Sequence, residues 1–469
     1  MEIKEASPEP AKQTLSIKEK LSYGSGVFGD QLMSNAVNTT VNPLYTIFLS
    51  MSPTLVGFAL MIGKLVDAFT DPLMGSISDN TRSRWGRRRP YILFGSLASA
   101  FAFLFLWFPP QGGSESTLLT YLIVSTSVIA LLATIYSVPW TALGFELTPS
   151  YHERTQVMGY RTILTKSVWL IIPWLWFWSQ KPIFANPLIG MRWLSVGIGI
   201  LVAITGAICF FGCKERYYKA ASKQVKLKLA KTIALTFRNK PFMIVMAVTV
   251  VQIVGLTTTL GGLGLYVSTY WVYEGDTAAG AGISGAMGTM NSILGFACIP
   301  LITMASKRFG KKMILGCCLG FAFCGCCLNW FCFTPSNPWL QLVPGLFMAP
   351  SNTAFWLING SMRADVIDHD EMNTGLRREG AYGAIGRWME KVAFAASFML
   401  SGVILDLIGF DAGLKGDQTE SALLSMRLAY SFLPAAIMLI GIYLVAKYPL
   451  TEKIMLDYRA KLEERRGAI

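Results

Sequence analysis

Twelve apolar stretches alternate with polar segments along the chain. They lie near 27–50, 53–78, 90–109, 118–145, 163–180, 192–213, 241–272, 281–304, 313–333, 338–360, 383–410 and 422–446. Most reach the ~20 residues that a helix needs to cross a bilayer core. A backbone in hydrocarbon must satisfy its own hydrogen bonds, and a helix does this within one segment. The pattern predicts an all-α polytopic membrane protein with twelve transmembrane helices.

Composition supports this reading. Of 469 residues, 53% are hydrophobic and only 15% charged, against ~25% charged in soluble domains. The formal charge of +13 is no nucleic-acid signal, because Lys and Arg fall in alternate loops. The 2–3 loop has Arg82, Arg84, Arg87, Arg88 and Arg89, the 6–7 loop has nine Lys and Arg from Lys214 to Lys240, and the 8–9 loop has Lys307, Arg308, Lys311 and Lys312. The 1–2, 3–4, 7–8 and 9–10 loops have none. Cationic loops stay inside, so both termini are expected in the cytoplasm and the protein in the cytoplasmic (inner) membrane. Residues 1–22 read as a cytoplasmic segment without a signal peptide. The basic linker 214–240 divides a six-helix half, 23–213, from a second, 241–447, and 448–469 is a cytoplasmic tail. Two six-helix halves are the plan of the major facilitator fold.

Charges inside the apolar stretches are the candidate chemistry, since intramembrane ionisable groups are functional by default. Helix 2 carries Lys64, Asp67 and Asp71. Residues four apart share a helix face ~6 Å apart, and two such anions repel unless a cation or proton intervenes. Thr70 adds a hydroxyl, and Pro72 frees the carbonyl of Ala68. These hard oxygen ligands suit Na⁺ or H⁺. Lys64 is expected to neutralise Asp67 in the empty state; the plainer reading is an internal Lys64–Asp67 salt bridge.

Other polar groups are weaker pointers. Asp30, Gln31, Asn35, Asn38 and Asn42 recur along helix 1 at helical spacing, as on a cavity-lining face. Gly24-Ser-Gly-Val-Phe-Gly29 fits a dinucleotide fingerprint but lacks its strand and is rejected. Helix 4 holds Thr134, Ser137 and Pro139 before Trp140. Arg161 opens helix 5, where alone it would read as a headgroup anchor. Trp356 on helix 10 suits the apolar face of a pyranose, but thirteen Trp make any one a weak pointer. The five cysteines of 317–327 read as small packing residues, not a metal site. The cluster Asp365–Glu371 reads as a gating ion-pair surface facing the Arg-rich loops. Gly75…Asp79…Arg84…Gly86-Arg-Arg matches the facilitator loop signature, in which an acid at a helix end pairs with Arg and holds the inward gate shut. Ser306–Lys312 echoes it between helices 8 and 9.

The blocks Asp67-Ala-Phe-Thr-Asp-Pro-Leu-Met-Gly75, Thr81–Pro90, Glu146-Leu-Thr, Glu153-Arg-Thr, Tyr160-Arg161 and Arg378-Glu379 through Lys391 together resemble the glycoside–pentoside–hexuronide:cation symporter family of the major facilitator superfamily, typified by melibiose permease. The resemblance spans nearly the whole chain. It implies a cation site at Asp67, Asp71 and Thr134, with Thr70 alongside. It implies Lys391 between cation and sugar, Arg161 in the sugar site, and Trp356 and Asp365 on helix 10. The sequence departs from that pattern at helix 1, where Asp30 and Gln31 stand for a Lys-Asp pair. On helix 4, Ser137 stands for an acid and Trp140 is displaced by one. Thr70 stands for Asn and leaves Na⁺ and H⁺ both open. Fewer acids beside Arg161 and Lys391 suit an anionic sugar such as a uronide.

The expected function is cation-coupled symport of a sugar, glycoside or uronide by alternating access. Asp67, Asp71, Thr134 and Thr70 would bind the cation. Asp30, Gln31, Ser137, Trp140, Arg161, Trp356 and Lys391 would bind substrate. Lys64, Asp79, Arg84, Arg87, Asp365 and Arg378 would couple or gate. The expected partners are a sugar, a monovalent cation and the bilayer, with a monomeric protein, no cofactor and no metal beyond Na⁺ at Asp67 and Asp71. A facilitator of lipid-like cargo is the alternative, and a non-transporting sensor a further one. A membrane-embedded enzyme would need an acid/base or metal set that the sequence lacks.

Overall fold

A computed structural model describes residues 15–148, 151–215, 236–256, 262–375 and 378–466. The first 14 residues and most of the basic linker, 216–235, lie outside the described residues. Among the described residues, all twelve apolar stretches fall mainly on helix. α1 comprises the contiguous segments Ile17–Ser25, Phe28–Leu32, Met33–Asn42 and Pro43–Phe48. There follow α2 (Pro53–Asn80), α3 (Arg89–Phe105), α4 (Glu115–Glu146), α5 (Tyr151–Ile171, Ile172–Trp174 and Leu175–Ser179) and α6 (Pro187–Gly212). The second half has α7 in two described pieces (Lys240–Leu256 and Gly264–Val272) and α8 (Thr277–Ala297 and Ile299–Phe309, bent by 48° at Cys298). Then come α9 (Lys311–Cys332), α10 (Gly345–Thr374), α11 (Glu379–Leu407) and α12 (Glu420–Ala446), and a polar α13 (Glu452–Arg466) ends the described chain. No strand occurs among the described residues.

Local sequence explains several ends. Ser16 caps α1 by accepting from Glu19 N, Ser114 caps α4 and Thr419 caps α12; each hydroxyl satisfies an orphan N–H. Pro53 stands in the first turn of α2, where its missing N–H costs nothing. Gly375 (φ 69°) closes α10 in the left-handed conformation. Two apolar cores form, one among α1–α6 and one mainly among α7 and α9–α13, and a smaller third joins Ile47 of α1 to α7, α11 and α12.

The halves are fastened at the end away from the basic loops. There, Ser52 donates to Asp406 (2.9 Å) and Tyr266 to Asn42 (2.5 Å); Thr277 donates to Gln180 (2.6 Å) and Trp174 to Thr289 (2.7 Å). α2 and α11 touch backbone to backbone at two glycines. A Cβ on Gly402 would meet Pro53 O at 2.2 Å, and one on Gly57 would meet Phe398 O at 2.5 Å. Small residues permit such approach between membrane helices. Nearer the basic end, Lys391 also bonds across the halves.

Candidate functional site

α2 sets up the site. Pro72 inside the helix removes the donor for Ala68 O, leaving polar backbone beside the acids. The Thr70 hydroxyl donates to Val66 O (2.9 Å). Across the gap, Thr134 of α4 donates to Asp67 Oδ1 (2.9 Å), lies 3.3 Å from Asp71 Oδ1, and meets the Thr70 hydroxyl at 3.2 Å. The four residues expected to hold a cation therefore share one cluster of oxygens. The countercharge comes from the other half: Lys391 Nζ of α11 lies 2.9 Å from Asp67 Oδ2 and 2.5 Å from Asp71 Oδ2. One ammonium thus bridges two acids; Asp67, Asp71 and Lys391 are partly buried and Thr134 is fully buried.

Lys64 departs from expectation. It makes no ion pair with Asp67 among the described residues, and its ammonium donates instead to Ser34 Oγ of α1 at 3.3 Å. Helical side chains lean toward the helix N-terminus. Lys64 therefore leans away from an acid three residues later, and Lys391 fills that place.

The substrate-site expectations fall into two groups. Arg161 of α5 lies over the indole of Trp140 at 4.6 Å. Trp140 is fully buried, stacked on Tyr23 (5.3 Å) and on Tyr136 (6.3 Å), and donates to Tyr23 O. It carries Arg161 and does not offer a face to a sugar, because Tyr23 and Tyr136 cover its ring. Asp30 and Gln31 bond each other at 2.7 Å, and Gln31 in turn receives Asn35. Ser137 is partly buried one turn beyond Thr134. Trp356, 42% exposed, shares its side of α10 with Asn352 and Gly360, at four-residue spacing.

The gating expectations are rearranged. Asp79 pairs with Arg88 (2.8 Å) and more loosely with Arg87 (3.9 Å), while Glu146 at the end of α4 takes Arg87 (2.5 Å) and Arg88 (2.9 Å). Arg84 makes no such pair among the described residues and lies over the neighbouring Trp85 ring at 4.9 Å. The loop turns at Gly86 (φ 105°), so the residues after the turn face the acids. Glu215 fixes that turn, its carboxylate accepting from Arg87 N (2.8 Å), Arg88 N (2.8 Å) and Arg89 N (3.0 Å) at the start of α3. In the second half, Asp365 pairs with Lys311 at 2.5 Å and Arg378 pairs with Asp370. Asp365 and Asp370 therefore each pair with a base of their own half. Hydrogen bonding to Asp370 raises the Arg378 pKa above its ordinary value.

Sequence reasoning missed Glu215, Arg88 as the partner of Asp79, and Lys166. Lys166 is a partly buried cation within the apolar part of α5, and its position in the stretch 163–180 was signal enough. Glu215 follows α6 directly as Cys-Lys-Glu, which by itself carries no sign of its distant partners.

The sequence matches the family model described as MFS/sugar transport protein over residues 22–452. The chain belongs to this family. Its relatives include an uncharacterized symporter of Synechocystis sp. (26% identical; 97% of this chain, 98% of that protein). A putative sulfoquinovose importer of Salmonella typhimurium is 26% identical over 92% of this chain and 89% of its own. A glucuronide carrier protein homolog of Escherichia coli is 22% identical over 90% and 91%. Among solved structures, a D-xylose–proton symporter aligns with TM-score 0.66 at 15% identity, covering 92% of this chain and 97% of that one. The nucleoside transporter NupG aligns with TM-score 0.64 at 13% identity, covering 93% and 100%. These likenesses show the major facilitator fold. The protein is a multi-span membrane transporter of a bacterial symporter family, as the sequence led us to expect.

Proposed function

We propose that the protein is a secondary active symporter that couples a monovalent cation, Na⁺ or H⁺, to entry of a sugar, glycoside or uronide, and that it catalyses no covalent step. The observation that carries the reading is Lys391 of one half lying between Asp67 and Asp71 of the other, at 2.9 and 2.5 Å. In this arrangement a lysine holds the place of the coupling ion. A Na⁺ held by Asp67, Asp71, Thr134 and Thr70, or a proton on one carboxylate, supplies the single positive charge in its stead. Lys391 is then released toward the solute. The differential contact of Lys391 in the two states is the coupling free energy that such a link requires.

The rocking units are the halves 23–213 and 241–447, joined by the linker 214–240. With the basic loops cytoplasmic, the bonds from Ser52–Asp406 to Thr277–Gln180 close the outer side. Entry of solute breaks that set in the outward-facing state, and the Asp79–Arg88 and Asp365–Lys311 pairs brace the inner ends of each half. We place the protein in the cytoplasmic membrane with both termini inside, acting as a monomer. Uptake into proteoliposomes tests the reading, with labelled neutral glycosides, pentosides and hexuronides, each under a Na⁺ gradient, an H⁺ gradient or neither. Accumulation of one sugar class under one ion supports it. Absence of gradient-driven uptake of every sugar rejects it in favour of other organic cargo.

A further inference from the structure

A cavity of about 50 Å³ lies between α1, α2 and α4, lined by Ser34, Asn38, Gly63, Lys64, Asp67 and Thr126 among others. It shares the wall of Asp67 with the cation cluster and is separate from the Arg161–Trp140 group. A single water needs ~10–15 Å³ of such space, so this cavity has room for a carboxylate-sized group. Its polar lining sets three groups able to donate, the Lys64 ammonium, the Asn38 amide and the Ser34 hydroxyl, beside the Asp67 carboxylate. The Lys64 ammonium has three N–H donors and spends one on a long 3.3 Å bond to Ser34 Oγ. No carboxylate lies within ion-pair distance of it among the described residues, and the Asn38 amide makes no hydrogen bond with a described side chain. The Thr126 hydroxyl is already committed to Leu122 O at 2.8 Å.

The one acid on the wall, Asp67, is answered elsewhere, by Lys391 and Thr134. A charged amine near the middle of a membrane protein, with two unused donors, is costly unless an acceptor arrives. Charge-assisted bonds from ammonium, amide and hydroxyl would favour an anion there.

We infer that this cavity is an anion subsite, in which Lys64, Asn38 and Ser34 receive a small monoanionic group. The group is the carboxylate of an acidic sugar, or a free monovalent anion such as chloride. With the sugar as the source, the inference rests on the symport reading and narrows its substrate to acidic solutes. Cation and anion then reinforce each other. A cation on Asp67 and Asp71 keeps those acids neutralised and frees Lys391, so the site gains one positive charge as the solute's negative charge arrives.

The test is equilibrium binding to the purified full-length protein in lipid nanodiscs, titrated with glucuronate, glucose and chloride. Wild type should bind glucuronate at least tenfold more tightly than glucose. Lys64→Gln should lose that preference and Lys64→Arg should keep it. Asn38→Asp places a carboxylate in the cavity and should abolish anion binding, which gives a second readout should Lys64→Gln fail to fold. Chloride that competes with glucuronate in a Lys64-dependent way supports one pocket for both. Lys64-dependent binding of chloride but not of glucuronate supports the pocket with a free anion as its occupant. Glucuronate and chloride binding unchanged in Lys64→Gln or in Asn38→Asp overturns the inference. Gradient-driven uptake is scored separately. Its absence with Lys64-dependent binding intact would reject symport and leave the subsite standing.

Discussion

Asp67 and Asp71 are held by the same two side chains, Lys391 and Thr134, and that shared arrangement makes residue-scale predictions. Asp71→Asn keeps shape and removes one charge from the Lys391 bridge. Cation-dependent uptake should fall at least tenfold while membrane insertion and thermal stability stay near wild type. Unchanged uptake and unchanged ion dependence would make Asp71 a packing residue. Lys391→Gln leaves two carboxylates without their shared ammonium. Removing one partner of a buried pair strands the other's charge, so the apo protein should be destabilised, and saturating Na⁺ or low pH should restore most of the lost Tm. A Tm deficit that neither Na⁺ nor acid reduces would show that Lys391 acts otherwise. The acid pair was legible because charges in apolar helices are rare, and Lys391 because the resemblance to a symporter family implied it. The error over Lys64 came from reading spacing without side-chain lean.

At the scale of elements, the loop between α2 and α3 and that between α8 and α9 repeat one construction. Arg89 donates to Phe210 O at the end of α6 (2.8 and 2.6 Å), and Lys312 donates to Ala446 O and Tyr448 O at the end of α12 (2.9 and 2.8 Å). Arg87 and Arg88 meet Glu146 of α4, and Lys311 meets Asp365 of α10. The sequence echo between the two loops thus has a structural counterpart in both halves. Arg88 joins two acids and Arg84 none among the described residues. Arg88→Gln should therefore cost about 1.5–3 kcal/mol, as for hydrogen bonds to charged groups, and Arg84→Gln close to nothing; thermal unfolding of the two variants compares them directly.

α13 docks on α10 partly through His369, whose ring stacks on Tyr458 at 5.5 Å. Burial lowers the His369 pKa from its ordinary value of 6.5, against a smaller opposing pull from Asp370. A histidine with a depressed folded pKa favours the neutral form. The docked state should thus be unaffected at pH 8 and weaken as pH falls through about 6.5. Hydrogen exchange in 452–466 should speed up at pH 5.5 relative to pH 7.5, and His369→Phe should remove most of that change.

At the scale of the whole molecule, the two halves are fastened to each other at the end away from the basic loops. Gly402 and Gly57 let α2 and α11 touch there, and the atoms they face are backbone, which cannot swing aside. Gly402→Leu should force that end apart and shift the population toward the opposite arrangement. A cysteine replacing Asn42, now bonded to Tyr266, should become more reactive to a membrane-impermeant thiol reagent from outside in the Gly402→Leu background, measured above the signal of the nine native cysteines. Equal labelling in both backgrounds would mean that this contact does not set the arrangement.

By itself the sequence determined the number and length of the membrane helices, because a bilayer demands about twenty apolar residues per crossing whatever their partners. It also marked out the helix-2 acid pair, because an ionisable group in oil stands out against its own segment, and the lysine of helix 11 came with the resemblance to a symporter family. Only the tertiary structure decided which charges meet. Lys391 and Asp71 are 320 positions apart, and nothing local says that α11 lies on α2. Arg88 displaced Arg84 because the chain turns at Gly86, and Trp140 lost its open face because Tyr23 and Tyr136 stack against it. Pairing across helices depends on packing and side-chain direction, and those are properties of the assembled fold.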